Sequence, residues 1–435
     1  MQTLPSPTPV LPGDLVAPDL VTPDLASLES TDTVGTLPSE LPNTPYRWPL
    51  FALSIGAFGL GLTEFVMLGL LPQVAASLKI SIPRAGDVVA AYALGVVIGA
   101  PLLTLLTRTL APKVALAGLM GLFTLSNLLT AVSPGFDTVF ASRLLSGLPH
   151  GAFFGLGAVL AIRLAPPGKQ AQAMATMFAG LTIANVIGVP LGTLVGQHLS
   201  WRVTFLLVAV VGVLATLALL RWVPRLPARP QGSVKDELAV FTRPAIWLLL
   251  ITAVVGVSGL FAVFSYVAPL MTEAAHLSSE AVPLVLILAG AGFTVGNVLG
   301  GRLADWSPLK SIYLMLGAMT IVFVLLALSA HVAPLAVLLV FLFSVFAFAL
   351  VNPVQLLLMR TAVGAESLGA ASSQSAFNMG NAVGAYLGAL PIAAGLGYAS
   401  VAWVGAALSL AGLLMAGVVG QYLGLSSNPL ARFRH

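Results

Sequence analysis

From Trp48 onward the chain alternates long apolar runs with short polar breaks. Twelve runs have the length of about 20 mostly apolar residues that a helix needs to cross bilayer hydrocarbon. They lie at 48–71, 85–107, 113–132, 136–162, 170–196, 201–223, 245–271, 281–304, 310–330, 334–358, 367–395 and 399–424. Helices are the expected form, because lipid offers no hydrogen bonds to an open strand edge. The longest polar interruption, 224–244, divides the runs six and six. The pattern predicts an all-α membrane protein of twelve transmembrane helices. Its parts are a tail at 1–45, a six-helix half at 46–223, a central loop at 224–244, a second six-helix half at 245–424 and a tail at 425–435.

The halves repeat weakly. An offset of 197 residues pairs Pro72 with Pro269, Gly95 with Gly292, Gly99 with Gly296, Lys113 with Lys310 and Arg163 with Arg360. Each pair falls at the same place in the corresponding run or loop. Small residues recur every fourth position in four runs: Ala91, Gly95 and Gly99; Gly180, Ala184, Gly188, Gly192 and Gly196; Gly292, Gly296 and Gly300; Gly380, Gly384 and Gly388. Such stripes let helix backbones approach closely in lipid.

Composition supports the membrane reading. Apolar residues make up 58% of the chain and charged residues 8%, against about 25% charged in a soluble domain. Cysteine is absent, which excludes disulfides, thiolate metal sites and thiol nucleophiles. Basic residues report orientation. With both termini in the cytoplasm, that side holds 15 of the 19 Lys and Arg, the outer side holds Lys79, Arg84 and Arg202, and Arg143 lies within a run. The net charge of +4 therefore reflects topology and does not indicate nucleic acid. Residues 1–45 are Pro-rich and acidic, with Asp14, Asp19, Asp24 and Glu29 at regular spacing, and read as a disordered tail without a secretion signal.

Two ionisable residues stand out on physical grounds. A guanidinium in hydrocarbon is costly unless paired or hydrated, and Arg143 lies inside the fourth run. Glu64 is the most central carboxylate of any run. Each sits about 10 Å below the outer surface, at 1.5 Å per residue. Equal depth makes a Glu64–Arg143 pair feasible, for proton coupling or as a structural ion pair. His150 follows on the face of Arg143, as a pH-sensitive group or a packing histidine. Phe261, Phe264, Tyr266, Asn352, Gln355, Gln374, Asn378 and Asn381 are candidates for a cavity lining. Amides and aromatics suit a neutral hydroxylated or amphipathic ligand, and equally suit contacts between helices.

The segments GAFGLGLTEF (56–65), YALGVVIGAP (92–101), RLLSGLPHGAFFGLGA (143–158), NVIGVPLGT (185–193), SWRVTFLL (200–207), GGRLADWSPLK (300–310) and QSAFNMGNAVGAYLG (374–388) carry a resemblance. The chain resembles the drug- and sugar-efflux branch of the major facilitator superfamily, most of all its arabinose-polymer-linked efflux permeases. The likeness implies tandem six-helix halves that meet along helices 2, 5, 8 and 11. It implies a cytoplasmic gate signature after the second run, where Arg108 and Lys113 remain but Thr107 stands in the place of the acid. The matching loop after the eighth run keeps Gly301, Asp305 and Lys310, so the latch is expected to rest on Asp305, against a basic residue or a helix end. Arg143 followed by Gly147 matches the helix-4 signature, which implies proton coupling. Asn185, Gly188, Pro190 and Gly192 match the helix-5 pattern of proton-exchanging exporters, with departures at Val189 and Thr193; a plain kink is the alternative.

The expected function is proton-coupled efflux of a small sugar-like or drug-like solute across the cell membrane, by a monomer embedded in lipid with no cofactor and no metal. Proton-coupled uptake is the alternative, since topology does not fix direction. No Walker-type phosphate loop points to ATP. A receptor on the same scaffold, or an intramembrane serine enzyme using Gly256, Ser258 and Gly259, are the readings from other classes.

Overall fold

The computed structural model describes residues 46–80, 82–228 and 233–424. The tails expected at 1–45 and 425–435 lie outside the described residues. Twelve long helices follow the twelve runs: α1 Arg47–Leu78, α2 Ile82–Thr107, α3 Pro112–Val132, α4 Phe136–Leu164, α5 Gln170–His198, α6 Trp201–Trp222, α7 Pro244–Phe264, α8 Val282–Trp306, α9 Pro308–Ser329, α10 Ala333–Thr361, α11 Glu366–Ala393 and α12 Ser400–Tyr422. Eleven have the length and hydropathy of a membrane span. The other, α11, is 28 residues long but carries Ser372, Ser373, Gln374 and Asn378. All four are buried, so protein and not lipid surrounds them.

Proline explains the irregular helices. It has no N–H, and its ring collides with the carbonyl four residues earlier. Pro353 accordingly divides α10 at Leu350, between Ala333–Ala349 and Val351–Thr361. Pro269 ends α7 at Phe264, and the chain resumes as Val267–Pro269 and a π turn, Leu270–Ala274. The straight seventh span expected to residue 271 is thus bent near its end. Pro190 follows a π turn at Ala184–Gly188 in α5. Pro72, where the first run was expected to stop, is accommodated inside α1.

The glycine stripes serve packing within each group of six helices. A Cβ on Gly95 or Gly99 of α2 would strike Leu144 or Leu148 of α4. The α8 stripe lies against Phe341, Val345 and Ala349 of α10 in the same way. The α5 glycines lie on Ser54, Phe58, Leu62, Val66 and Leu70 of α1, and the α11 glycines lie on Val254, Ser258 and Ala262 of α7. These contacts repeat between the first and last six helices, in agreement with the internal sequence repeat. Helices α2, α5, α8 and α11 do lie where the two groups meet, but they meet there by other faces. Gly301 of α8 approaches Ala171 and Ala175 of α5, and Gly155 of α4 approaches Ser367 and Ala371 of α11. Asn297 donates to the Ala175 carbonyl at 2.7 Å, and Ser375 to that of Val97 at 3.2 Å. These contacts crowd toward the face that carries the linker between α6 and α7, termed here the linker face.

Candidate functional site

Away from that face, α1, α4, α5, α7, α10 and α11 enclose a central cavity. Glu64, His150, Gln374, Asn378 and Asn381 supply its polar groups, and Phe65, Phe178, Phe261, Phe348 and Phe377 its aromatic wall. Its volume is about 80 Å³, well below the roughly 300–1,000 Å³ of a site for a drug-sized ligand. A solute of that size requires the walls to separate. A larger cavity of about 630 Å³ lies between α1, α5 and α6, but Ile183, Leu214 and Leu217 on its wall are exposed and apolar, so it faces lipid.

Behind the central cavity is a buried polar chain. Glu64 Oε2 lies 4.0 Å from His150 Nδ1. The same ring nitrogen is 2.8 Å from the Tyr92 hydroxyl. The Arg143 guanidinium stands 4.5 Å from the centre of the Tyr92 ring and 5.4 Å from that of Phe205. Arg143 Nη1 donates to Thr63 Oγ1 at 2.8 Å, and Thr63 donates in turn to Asn127 Oδ1 at 2.6 Å. Arg143 is fully buried, and its Nε and Nη2 have no hydrogen-bond partner among the described residues. The expected direct pair is therefore replaced here. Arg143 is held by Thr63, the residue beside Glu64, while the Glu64 carboxylate turns to His150 and the cavity.

Several other candidates fall elsewhere. Phe261, Gln374, Asn378 and Asn381 line the cavity as expected. Phe264 instead packs on Phe293, with ring centres 5.3 Å apart. Tyr266 donates to the Ala385 carbonyl at 2.8 Å. Asn352 bonds Asn297 Oδ1 at 2.9 Å, joining α10 to α8. Gln355 is buried under the cavity, where its Oε1 accepts from Gln374 at 3.0 Å and its Nε2 faces the Phe154 carbonyl at 3.5 Å. The rings of Phe264 and Tyr266 and the amides of Asn352 and Gln355 thus join helices. Asn185 instead bonds its own helix at Leu181, while Gly188 and Gly192 seat α5 on α1 around the Pro190 bend. Ser258 is fully buried and donates to Val254 of its own turn.

At the linker face, Asp305 at the end of α8 accepts from the backbone N–H of Ala171 at 2.6 Å and of Gln172 at 3.1 Å. These are orphan amides of the α5 N-terminus, where the helix dipole favours an anion. Asp305 thus bonds the α5 helix end. Lys310 lies over the Trp306 ring at 5.7 Å, and Lys113 begins α3, half-buried. Arg108 pairs with Glu237 of the linker at 3.1 Å. The 197-residue offset also sets Arg108, and not Thr107, opposite Asp305. Thr63, Tyr92, Asn127 and Glu237 were not anticipated. Tyr92 and Asn127 are polar groups within apolar runs, which was the available signal.

The profile described as Major Facilitator Superfamily matches residues 53–389. "Inner membrane transport protein YdhP" of Escherichia coli (strain K12) is 43% identical over 372 residues, spanning 85% of this chain and 95% of that protein. "Probable sugar efflux transporter" of Helicobacter acinonychis (strain Sheeba) is 31% identical over 365 residues, spanning 84% and 93%. Among solved structures, the human organic anion transporter MFSD10 (TETRAN) has a TM-score of 0.71 at 16% identity, covering 86% of this chain and 100% of that one, a likeness of fold. Twelve helices around a central cavity, with a matching profile and relatives along nearly the whole bundle, place the chain in the major facilitator superfamily as a multi-pass membrane transporter, not an enzyme.

Proposed function

We propose that this transporter exports a small neutral or amphipathic solute, sugar-like or drug-like, in exchange for protons. The observation that carries the reading is the placement of Glu64. It is a carboxylate of the cavity wall, 4.0 Å from His150, and the buried guanidinium of Arg143 lies behind it with two nitrogens that have no hydrogen-bond partner among the described residues. An ionised Glu64 is drawn toward that cation. A protonated Glu64 is not, and it leaves the cavity wall neutral for solute. One proton thereby changes which arrangement of the two groups of helices is favoured, and rocking them about the cavity exposes it to alternate sides. The amides of Gln374, Asn378 and Asn381 suit solute hydroxyls, and the phenylalanines suit its apolar faces. The sugar-efflux relative supports the direction. The excess of Lys and Arg at the linker face supports assigning that face to the cytoplasm. A monomer suffices, because the cavity is complete within one chain.

The test is a solute screen in sealed proteoliposomes with an imposed pH gradient. Solute should move against the proton gradient. Movement together with protons would establish uptake, and movement indifferent to pH would remove the coupling.

A further inference from the structure

The part of the linker that leads into α7, residues 233–243, is mounted on the last six helices. Its short helix, Val234–Leu238, begins with a reciprocal cap between Ser233 and Asp236, with bonds of 2.7 and 3.2 Å. Val240, 2% exposed, then packs in the core that contains Ile246, Leu316 and Leu358. Arg243 donates to the carbonyls of Thr361 and Val363 at 3.0 and 3.5 Å. This segment carries Glu237, whose side chain is 5% exposed and accepts from Arg108 at 3.1 Å. Arg108 belongs to the turn after α2, in the first six helices. Thr104, Leu160 and Arg163 on one side, and Gly364–Leu368 on the other, surround the pair. The ion pair therefore joins the two groups of helices and must break when the linker face opens.

The internal repeat gives the pair a counterpart. Arg108 corresponds to Asp305, a carboxylate of the last six helices that holds amides of the first six. At the equivalent place the first six helices present a cation. It lies near the start of α11, whose Glu366 lines the same cavity. Glu237, an acid carried by the last six helices, bonds the guanidinium directly at 3.1 Å. We propose that Glu237 is a gate residue: the linker closes the linker face through Glu237 and Arg108, with charges reversed relative to the Asp305 latch. This rests on the alternating-access reading above. The linker is then part of the gate and not only a tether.

The chain has no cysteine, so Leu160→Cys provides a reporter at a side chain 1% exposed beside the pair. Its labelling rate with N-ethylmaleimide, in purified protein in nanodiscs, reads opening of the linker face. Arg108→Glu and Glu237→Arg each place like charges together and should raise the rate at least about tenfold. The double exchange, Arg108→Glu with Glu237→Arg, restores an ion pair and should return the rate toward that of the parent. Glu237→Gln, which introduces no repulsion, should give a smaller rise in the same direction. Monodisperse elution of each variant separates opening from misfolding. A double exchange labelled as fast as its single parents would overturn the proposal. If Asp305→Asn speeds labelling while the Glu237 variants do not, the Glu237 proposal alone fails. If none of them does, the gate at this face fails with it.

Discussion

An ionisable side chain persists inside a bilayer only when protein groups replace its water, and Arg143 meets that condition in part. Thr63 satisfies one nitrogen and two aromatic rings flank the guanidinium, while Nε and Nη2 have no partner among the described residues. The unsatisfied groups identify a position that a carboxylate can fill in another conformation, and Glu64 is the nearest candidate by sequence and depth. Glu64→Gln keeps the shape and removes the charge. It should abolish solute accumulation driven by a pH gradient while solute exchange persists, as measured in vesicles; uphill transport with a normal pH response would exclude Glu64 as the proton carrier. Tyr92 makes a second prediction. Tyr92→Phe keeps the ring under Arg143, whereas Tyr92→Leu loses a contact worth about 1–2 kcal/mol when desolvated. Thermal unfolding of the purified variants should place Leu clearly below Phe. Glu64, Arg143 and His150 were legible in the sequence because charge in hydrocarbon is conspicuous. Thr63, Asn127 and Tyr92 were not, because a neutral hydroxyl or amide in an apolar run gives the same signal whether it faces a site or a neighbouring helix.

At the scale of the element, hydrophobic run length located all twelve helices, since lipid thickness imposes the same demand on each. It could not show which face of a helix meets which neighbour. The glycine stripes illustrate this: their spacing fixes a close contact, but α2 makes it with α4 and not with α11. The same limit hid the structural roles of Tyr266 and Asn352, whose partners are distant in the chain. Close packing yields its own prediction. A Cβ at Gly147 would collide with the Tyr92 carbonyl of α2, which cannot move aside as a side chain can. Gly147→Val should destabilise the protein by about 1–3 kcal/mol, visible as a lower unfolding temperature. Gly121→Ala, at a site where a Cβ meets nothing within 4 Å, should leave that temperature unchanged.

At the scale of the whole molecule, the two groups of helices are joined at the linker face and leave a cavity of about 80 Å³. That state is closed to one side and too small for a sizeable solute, so transport requires the linker face to release. Cysteine scanning locates that face: Ser278→Cys should react with an impermeant thiol reagent in intact cells and Pro227→Cys should not, and the reverse pattern would invert the orientation. The release itself is tested at Asp305. Its two oxygens accept from Ala171 and Gln172, across the boundary between the groups. Asp305→Asn keeps one acceptor but loses the charge that the α5 N-terminus favours, an effect of up to about 2 kcal/mol in a partly buried geometry. Such a loss multiplies the linker-face-open population by up to about 30-fold. Thr107, by contrast, donates at 2.6 Å to Leu103 of its own helix. Removing its hydroxyl touches no bond between the groups, so Thr107→Ala should leave both transport and opening near those of the parent. Asp305→Asn should slow transport and expose the linker-face side of the cavity to thiol reagents. Equal, mild effects from the two substitutions would mean that the carboxylate caps α5 without holding the gate, and that closure rests on other contacts between the groups, such as the packing of Gly301 against Ala171 and Ala175 and the Arg108–Glu237 pair.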